Sequence, residues 1–103
     1  MKRGEVRWYR FKAPDKRRPV LILTRDSVIE YLGEVTVAPI TSTIRDIPSE
    51  VHLGKEDGVP RDCAVNTDHI QTVPKTKVGA LITTLSGAKL TQVRNAIRFA
   101  LGL

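Results

Sequence analysis

Several residue types are scarce in this chain, and each shortage excludes a class of protein. Among its 103 residues there is one Cys, and aromatic side chains account for only 5 %. One Cys can form neither an internal disulfide nor a Cys-rich zinc site, which excludes a secreted disulfide scaffold and indicates a reducing compartment. No apolar run approaches the roughly 20 residues of a membrane span, and the first residues lack the apolar core of a signal peptide. We therefore expect a cytoplasmic protein that is not bound to a membrane.

The remaining composition is that of an ordinary globular protein. Hydrophobic residues make up 41 % of the chain and charged residues 27 %, which excludes a disordered, collagen-like or coiled-coil chain. The length predicts one domain spanning residues 1–103, without repeats or linkers. Because a domain of this size buries only about two-thirds of its unfolded surface, a stabilising dimer is plausible.

Positive charge is concentrated at the start of the chain. The net charge is +6, and nine of the seventeen Lys and Arg residues lie within residues 1–25, together with only two of the eleven Asp and Glu residues. The rest of the chain is close to neutral. Such a patch attracts a polyanion through steering and the release of counterions, although a merely solubilising surface would have the same composition.

Alternating and β-branched runs predict a mainly β fold. The predicted strands are Gly4–Phe11, Pro19–Thr24, Glu34–Ile40, Ser49–Leu53, Cys63–Asn66, Ile70–Val73 and Gly79–Leu85. Lys12–Arg18 is predicted to be a charged loop. Since Pro39 has no N–H to donate, its strand should bulge there or lie at an edge. In the fourth strand, alternation places Val51 and Leu53 inward and Glu50 and His52 outward.

A single helix is predicted at the end of the chain. Ser86 is a suitable N-cap, and the helix should run to Leu101, with Gly102 as its stop. Its predicted apolar stripe consists of Leu90, Val93, Ile97, Ala100 and Leu101. Short strands followed by one helix predict a small β-barrel with a helix packed on it.

Four blocks of sequence carry a resemblance to a known family. They are K-R-G-E-V at Lys2–Val6, R-R-P-V-L-I-L-T at Arg17–Thr24, V-A-P-I-T-S at Val37–Ser42 and R-D-C-A-V-N-T-D-H-I-Q-T-V at Arg61–Val73. In this order and spacing they resemble the MazF/PemK toxins of bacterial type II toxin–antitoxin pairs, over essentially the whole chain. The resemblance implies an SH3-like β-barrel of the PemK/CcdB type that forms a homodimer.

The resemblance also implies an activity and a partner. Members of this family are sequence-specific endoribonucleases that cut single-stranded RNA without a metal or other cofactor. They leave a 2′,3′-cyclic phosphate and a 5′-hydroxyl. A cognate antitoxin places an acidic, disordered C-terminal segment across the RNA groove.

Two residues take the family's catalytic positions. The catalytic Arg, which precedes the Pro of the second strand, corresponds to Arg18, and the catalytic Thr, which follows the Ile of the third, corresponds to Thr41. These side chains suit the chemistry. A guanidinium forks onto phosphate oxygens and stabilises charge in the transition state, while its high pKa makes it a poor general base. The Thr hydroxyl can donate to a phosphate oxygen, and Ser42 and Thr43 extend this donor-rich segment.

Further residues are candidates for binding RNA. Lys16 and Arg17 flank Arg18 and would position phosphates. His69 stands where many family members carry a base-contacting Gln, so it is compatible with reading a base, with donating a proton, or with a structural role. Trp8 could stack on a base, but barrel-core packing is favoured for it. Cys63 lies in a short apolar strand and is expected to be inert core.

Two other functions fit a basic barrel of this size. A CcdB-like toxin would poison DNA gyrase by binding alone, but such toxins lack the Arg-Pro and Ile-Thr blocks. An RNA-binding module would use the basic segment without catalysis. Only Arg18 and Thr41 distinguish an enzyme from that module.

Overall fold

The computed structural model describes residues 1–12 and 17–103. Strands predominate, and the long helix comes last, so the predicted mainly β fold with a C-terminal helix is confirmed. In chain order the strands and α-helices are β1 (Glu5–Arg10), β2 (Arg17–Ile22), α1 (Asp26–Ile29), β3 (Glu34–Thr41), β4 (Glu50–Leu53), β5 (Cys63–Asn66), β6 (Gln71–Pro74), β7 (Val78–Thr84) and α2 (Gly87–Leu101). No helix in the described ranges is both long enough and apolar enough to cross a membrane.

The seven strands form one antiparallel sheet that is not closed. The order across the sheet is β4-β5-β3-β2-β1-β7, and β6 pairs with the first half of β3. Among the described strands no pairing joins β4 to β7. The barrel predicted from the sequence is therefore an open sheet, with two cores rather than one enclosed interior.

Apolar side chains fill a core on each face of the sheet. The larger core includes Val6, Leu21, Ile40, Leu53 and Val65, and α2 closes it with Val93 and Ala96. The second core includes Tyr9, Val20, Ile22, Val35, Val37 and Val73, with Ile29 of α1. Neighbouring residues of one strand enter opposite cores because successive side chains point to opposite faces.

Pro39 lies where β3 changes its partner. On the side away from β2, Glu34–Val37 pair with β6, whereas Ile40 and Thr41 pair with β5. The Thr36 carbonyl accepts from the Leu23 N–H on the β2 side, so alternation turns the donor-free nitrogen of Pro39 to the other side, between the two partners. The sequence had predicted a bulge or an edge position at Pro39. The strand instead keeps its register against β2 and lies inside the sheet, so this prediction is wrong.

Pro19 ends the ladder between β2 and β3. The last pair of that ladder is Val20–Pro39. The Leu23 N–H donates toward β3, and by alternation the nitrogen of Pro19 also faces β3 but has no hydrogen to give. The two strands therefore stop pairing here. Because β2 begins at Arg17 and pairs with β1 from there on, Arg17 and Arg18 belong to a strand end that is unpaired only on its β3 side, and not to the predicted loop.

The helix begins where predicted, and two exposure predictions fail. Ser86 accepts a hydrogen bond from the Lys89 N–H at 3.1 Å and so caps α2. Leu101 was assigned to the buried stripe but is 60 % exposed, because the packing of α2 against the larger core ends at Ile97. Glu50 was predicted to point outward, yet its side chain is only 3 % exposed, because the loop 42–49 folds back over it. His52 is exposed, as predicted.

A buried carboxylate fixes the start of the chain. Glu5 Oε1 accepts from Arg7 Nε at 2.8 Å and from the Lys2 N–H at 2.9 Å, and Arg7 also donates to the Gly79 carbonyl of β7 at 2.9 Å. Burial by itself raises the pKa of Glu5, but the hydrogen bonds from Arg7 and Lys2 and the charge of Arg7 together lower it below its ordinary value of 4.5.

Replacing this carboxylate should cost stability in a pH-dependent way. At pH 7 we expect Glu5→Gln to lower the free energy of unfolding by about 1.5–3 kcal/mol, as for other hydrogen bonds to charged groups. A lowered pKa means that the ionised form stabilises the fold, so the difference between wild type and variant should shrink as the pH falls below 4.5. Urea unfolding at pH 7 and pH 3.5 measures it. Glu30→Gln, at an exposed acid, is the control. A difference that stays the same at both pH values would contradict this account.

Candidate active site

A pocket of about 450 Å³ opens where β2 and β3 stop pairing. It is bounded by the ends of these strands, by Trp8 of β1, and by the loop that joins β4 to β5. The residues that line it are Trp8, Arg17, Arg18, Pro19, Ile40, Thr41, Ser42, Val59, Pro60, Arg61, Cys63 and Ile82. Within the described part of the chain, its lining contains three Arg residues and no carboxylate. The pocket is therefore suited to a polyanion.

Arg18 and Thr41 reach the pocket from neighbouring strands. Val20 pairs with Pro39, and each residue lies two positions beyond that pair on its own strand. The antiparallel register, continued by two residues, brings Arg18 opposite Thr41. Two residues that are 23 positions apart in the sequence thus meet at one opening.

The Thr41 hydroxyl is oriented by the residue that follows Ser42. Thr41 Oγ1 accepts from the Thr43 N–H at 3.0 Å. Since this contact uses an oxygen lone pair, the hydroxyl hydrogen remains available to donate into the pocket. Thr43 itself does not line the pocket, whereas Ser42 does.

A buried acid holds the far end of the segment that follows Thr41. Glu50 Oε1 accepts from the Arg45 N–H at 2.8 Å, and Glu50 Oε2 lies 3.6 Å from Arg45 Nη1. The loop 42–49 is thus fixed at one end by β3 and at the other by this carboxylate. The alternating pattern of β4 did not predict that Glu50 is buried, because the pattern contains no information on the loop that covers the strand.

Arg17 packs against the only Trp of the chain. Its guanidinium carbon lies 5.0 Å from the centroid of the Trp8 ring, which is a cation–π contact. Trp8 is partly exposed and lines the pocket. Core packing, favoured for Trp8 from the sequence, is therefore wrong.

Arg61 is a pocket residue that the sequence did not single out. It lies in the turn-rich loop between β4 and β5 and lines the same pocket as Arg17 and Arg18. Arg61 is part of the block R-D-C-A-V-N, but nothing in that block indicates which way the loop folds. The only feature of the sequence that could have pointed to Arg61 was its positive charge, two positions before the predicted strand that begins at Cys63.

One other predicted RNA-binding residue lies away from the pocket. His69 is exposed in a short turn at the opposite end of β5 from Cys63, and its Nδ1 lies 3.3 Å from Asn66 Nδ2. It does not line the pocket. Lys16 lies outside the described residues.

Cys63 contributes a neutral thiol to the pocket wall. Burial, with smaller contributions from the charges of Asp62 and Asp57, raises its pKa above the ordinary value of 9.0. The thiol is therefore protonated at neutral pH and is no base. This agrees with the inert role expected from the sequence, although one side of Cys63 faces the pocket.

The whole fold and this site can be compared with known proteins. Residues 2–101 match the family model described as "PemK-like, MazF-like toxin of type II toxin-antitoxin system". The chain belongs to this family.

Named relatives of this toxin family agree in sequence and in structure. The chain is 43 % identical over 103 residues to "Probable endoribonuclease MazF2" of Mycobacterium tuberculosis, covering 99 % of each. It is 40 % identical over 89 residues to "Endoribonuclease MazF3" of the same organism, covering 86 % of each. The structure of Mycobacterium tuberculosis toxin MazF-mt6 superposes with a TM-score of 0.88 at 35 % identity, covering 96 % of this chain and 97 % of that one. The predicted family and enzyme class, a MazF/PemK toxin with endoribonuclease activity, are confirmed.

Loss of the Glu50 anchor should impair this MazF-like chain beyond its effect on stability. We expect Glu50→Ala to lower the free energy of unfolding by about 1–3 kcal/mol, because the hydrogen bond from the Arg45 N–H to the Glu50 carboxylate is lost. RNA cleavage at a temperature where the variant stays folded should also fall, because the segment after Thr41 is no longer held. Cleavage rate and chemical denaturation are measured in parallel, with Glu30→Ala as the exposed control. Full activity in a folded Glu50→Ala protein would show that the anchor is not needed.

Proposed function

We propose that this toxin cuts single-stranded RNA at short specific sequences inside the pocket, by attack of a ribose 2′-hydroxyl on the adjacent phosphorus and without a metal ion. One observation carries the proposal. Arg18 and Thr41 converge at an opening whose described lining holds three guanidinium groups and no carboxylate. Such an opening favours the extra negative charge that a phosphate acquires during this reaction.

Each group has a defined task in the reaction. The 2′-oxygen forms a bond to phosphorus as its proton passes to water, and the bond from phosphorus to the 5′-oxygen breaks as that oxygen takes a proton from water. The products are a 2′,3′-cyclic phosphate and a 5′-hydroxyl. Arg18 donates to the non-bridging oxygens and offsets their growing charge, while the Thr41 hydroxyl supplies a neutral donor to the same phosphate. Arg17 and Ser42 hold the RNA on either side.

We also propose the partners and the compartment. A solved structure with a TM-score of 0.90 and 27 % identity is described as "Endoribonuclease in complex with its cognate antitoxin from Mycobacterial species"; it covers 100 % of this chain and 96 % of that one. By analogy, a cognate antitoxin would bind this chain, and an acidic segment would suit its Arg-rich pocket. A cytoplasmic homodimer completes the proposal.

The reaction can be tested on a long single-stranded RNA in excess EDTA. Wild type should cut at discrete sites and leave cyclic phosphate ends. Arg18→Ala should be slower by about 10²–10³-fold, as when a donor to a transition-state oxyanion is removed. Thr41→Ala should be slower by about 10–100-fold, the equivalent of one hydrogen bond to a charged group. Product ends are mapped by sequencing and by their response to a phosphatase.

Controls separate catalysis from charge and from fold. Arg94→Ala removes a positive charge from the exposed face of α2 and should cleave like wild type. Thr41→Ser restores the hydroxyl and should recover most of the rate. A wild type that binds RNA without ever cutting it would replace the proposal with a non-catalytic binding module. Cleavage that depends on added Mg²⁺ would contradict the metal-free step.

A further inference from the structure

Arg61 lines the same pocket as Arg17 and Arg18, but it comes from the loop that joins β4 to β5 and not from β2. Its side chain is exposed, and it forms no hydrogen bond or ion pair with any other residue that the structure describes. The neighbouring acid does not neutralise it within the pocket. Asp62 Oδ1 lies 3.8 Å from His52 Nε2, and Asp62 is not part of the lining.

The loop 54–62 that carries Arg61 is held by a buried acid. Asp57 Oδ2 accepts from the Gly54 N–H at 2.9 Å and lies 3.5 Å from Lys89 Nζ of α2. Lys89 also donates to the His52 carbonyl at 3.0 Å. The Asp57 side chain is 9 % exposed, so its contacts with Gly54 and Lys89 are largely screened from water. The loop is therefore fixed to β4 and to α2.

A third contact fixes the loop to β7. Thr83 Oγ1 donates to the Asp57 carbonyl at 3.0 Å. The next residue, Gly58, has φ of 93°, and a Cβ there would collide with Thr83, so only glycine fits this approach. Val59 then enters the larger core. Arg61 thus belongs to a loop whose backbone is held in place, and it lies between the buried residues Val59 and Cys63.

We infer that Arg61 binds an RNA phosphate other than the one that is cut, and so positions the strand across the pocket. This rests on the proposed function. A planar guanidinium with no partner in the described lining, carried by a fixed loop, can donate two parallel hydrogen bonds to two oxygens of one phosphate. Arg18 and Thr41 already serve the reacting phosphate from the ends of β2 and β3. Arg61 is therefore a binding residue, and the fixed loop decides where it binds.

The salt dependence of binding tests this role directly. The ligand is an oligonucleotide that contains a mapped cut site with a 2′-deoxyribose at that position, so that it cannot be cleaved. Each phosphate contact with a single strand contributes about 0.7 to the slope of log K against log salt. Arg61→Ala should therefore lower the slope by about 0.7 and weaken binding by about 10-fold at low salt. On cleavable RNA, KM should rise while kcat stays within a few-fold of wild type.

Three further variants make the result specific. Lys55→Ala removes an exposed cation from the same loop outside the pocket and should behave like wild type. Arg61→Lys keeps the charge and should restore the slope, but only part of the affinity, because the two-point contact is lost. Asp57→Asn keeps Arg61 but loosens its loop, and should weaken binding together with a lower melting temperature.

Two outcomes would overturn the inference. The first is an Arg61→Ala protein with the wild-type slope and KM, and the second is a loss confined to kcat. The proposed function fails separately, if wild type does not cut RNA at all. In that case the slope is measured on an uncleaved single-stranded RNA, and a slope that Arg61→Ala still lowers would leave the phosphate contact standing. Unchanged melting temperatures for Arg61→Ala and Lys55→Ala confirm that both variants are folded.

Discussion

Missing hydrogen-bond donors at two prolines determine where this sheet opens. Pro19 cannot donate toward β3, so β2 and β3 separate at their ends. Pro39 cannot donate on its other side, so β3 is free to exchange β6 for β5. A sheet would ordinarily continue through such positions, because unpaired backbone groups are costly when buried. Here side chains line the gap between β2 and β3, and the strand end that carries Arg17 and Arg18 becomes one wall of the pocket.

Electrostatics around the pocket depend on where the acids are bound. Near it, Glu50 holds Arg45, Asp57 holds Lys89, and Asp62 lies beside His52. Each of these carboxylates thus contacts a basic side chain outside the pocket lining. The guanidinium groups that line the pocket consequently repel one another, and an anion that enters relieves this repulsion. The arrangement favours a polyanionic ligand before any specific contact is made.

The sequence predicted the parts of this site that depend on local patterns. Arg18, Thr41 and Ser42 follow short blocks next to prolines and β-branched strands, and the structure brings them together. Arg61 could not be found in that way, because its direction depends on the contact of Asp57 with Thr83, 26 residues away. The burial of Glu50 and the partial exposure of Trp8 were not predicted for the same reason. The alternation of a strand does not show which of its faces is covered by a loop and which is left open. The boundaries of the helix were predictable because a cap and a stop are local, whereas the exposure of Leu101 depends on where the packing of α2 against the larger core ends.

The contact between Arg17 and Trp8 links tryptophan fluorescence to occupancy of the pocket. The chain contains one indole, and this indole lies at the pocket with a cation over its face. A phosphate that draws the guanidinium away uncovers the ring, and a nucleobase that takes its place stacks on the same surface. The tryptophan emission of the protein therefore comes from one position whose surroundings change on occupancy. Its intrinsic fluorescence follows the arrival of a ligand separately from any bond that is broken afterwards.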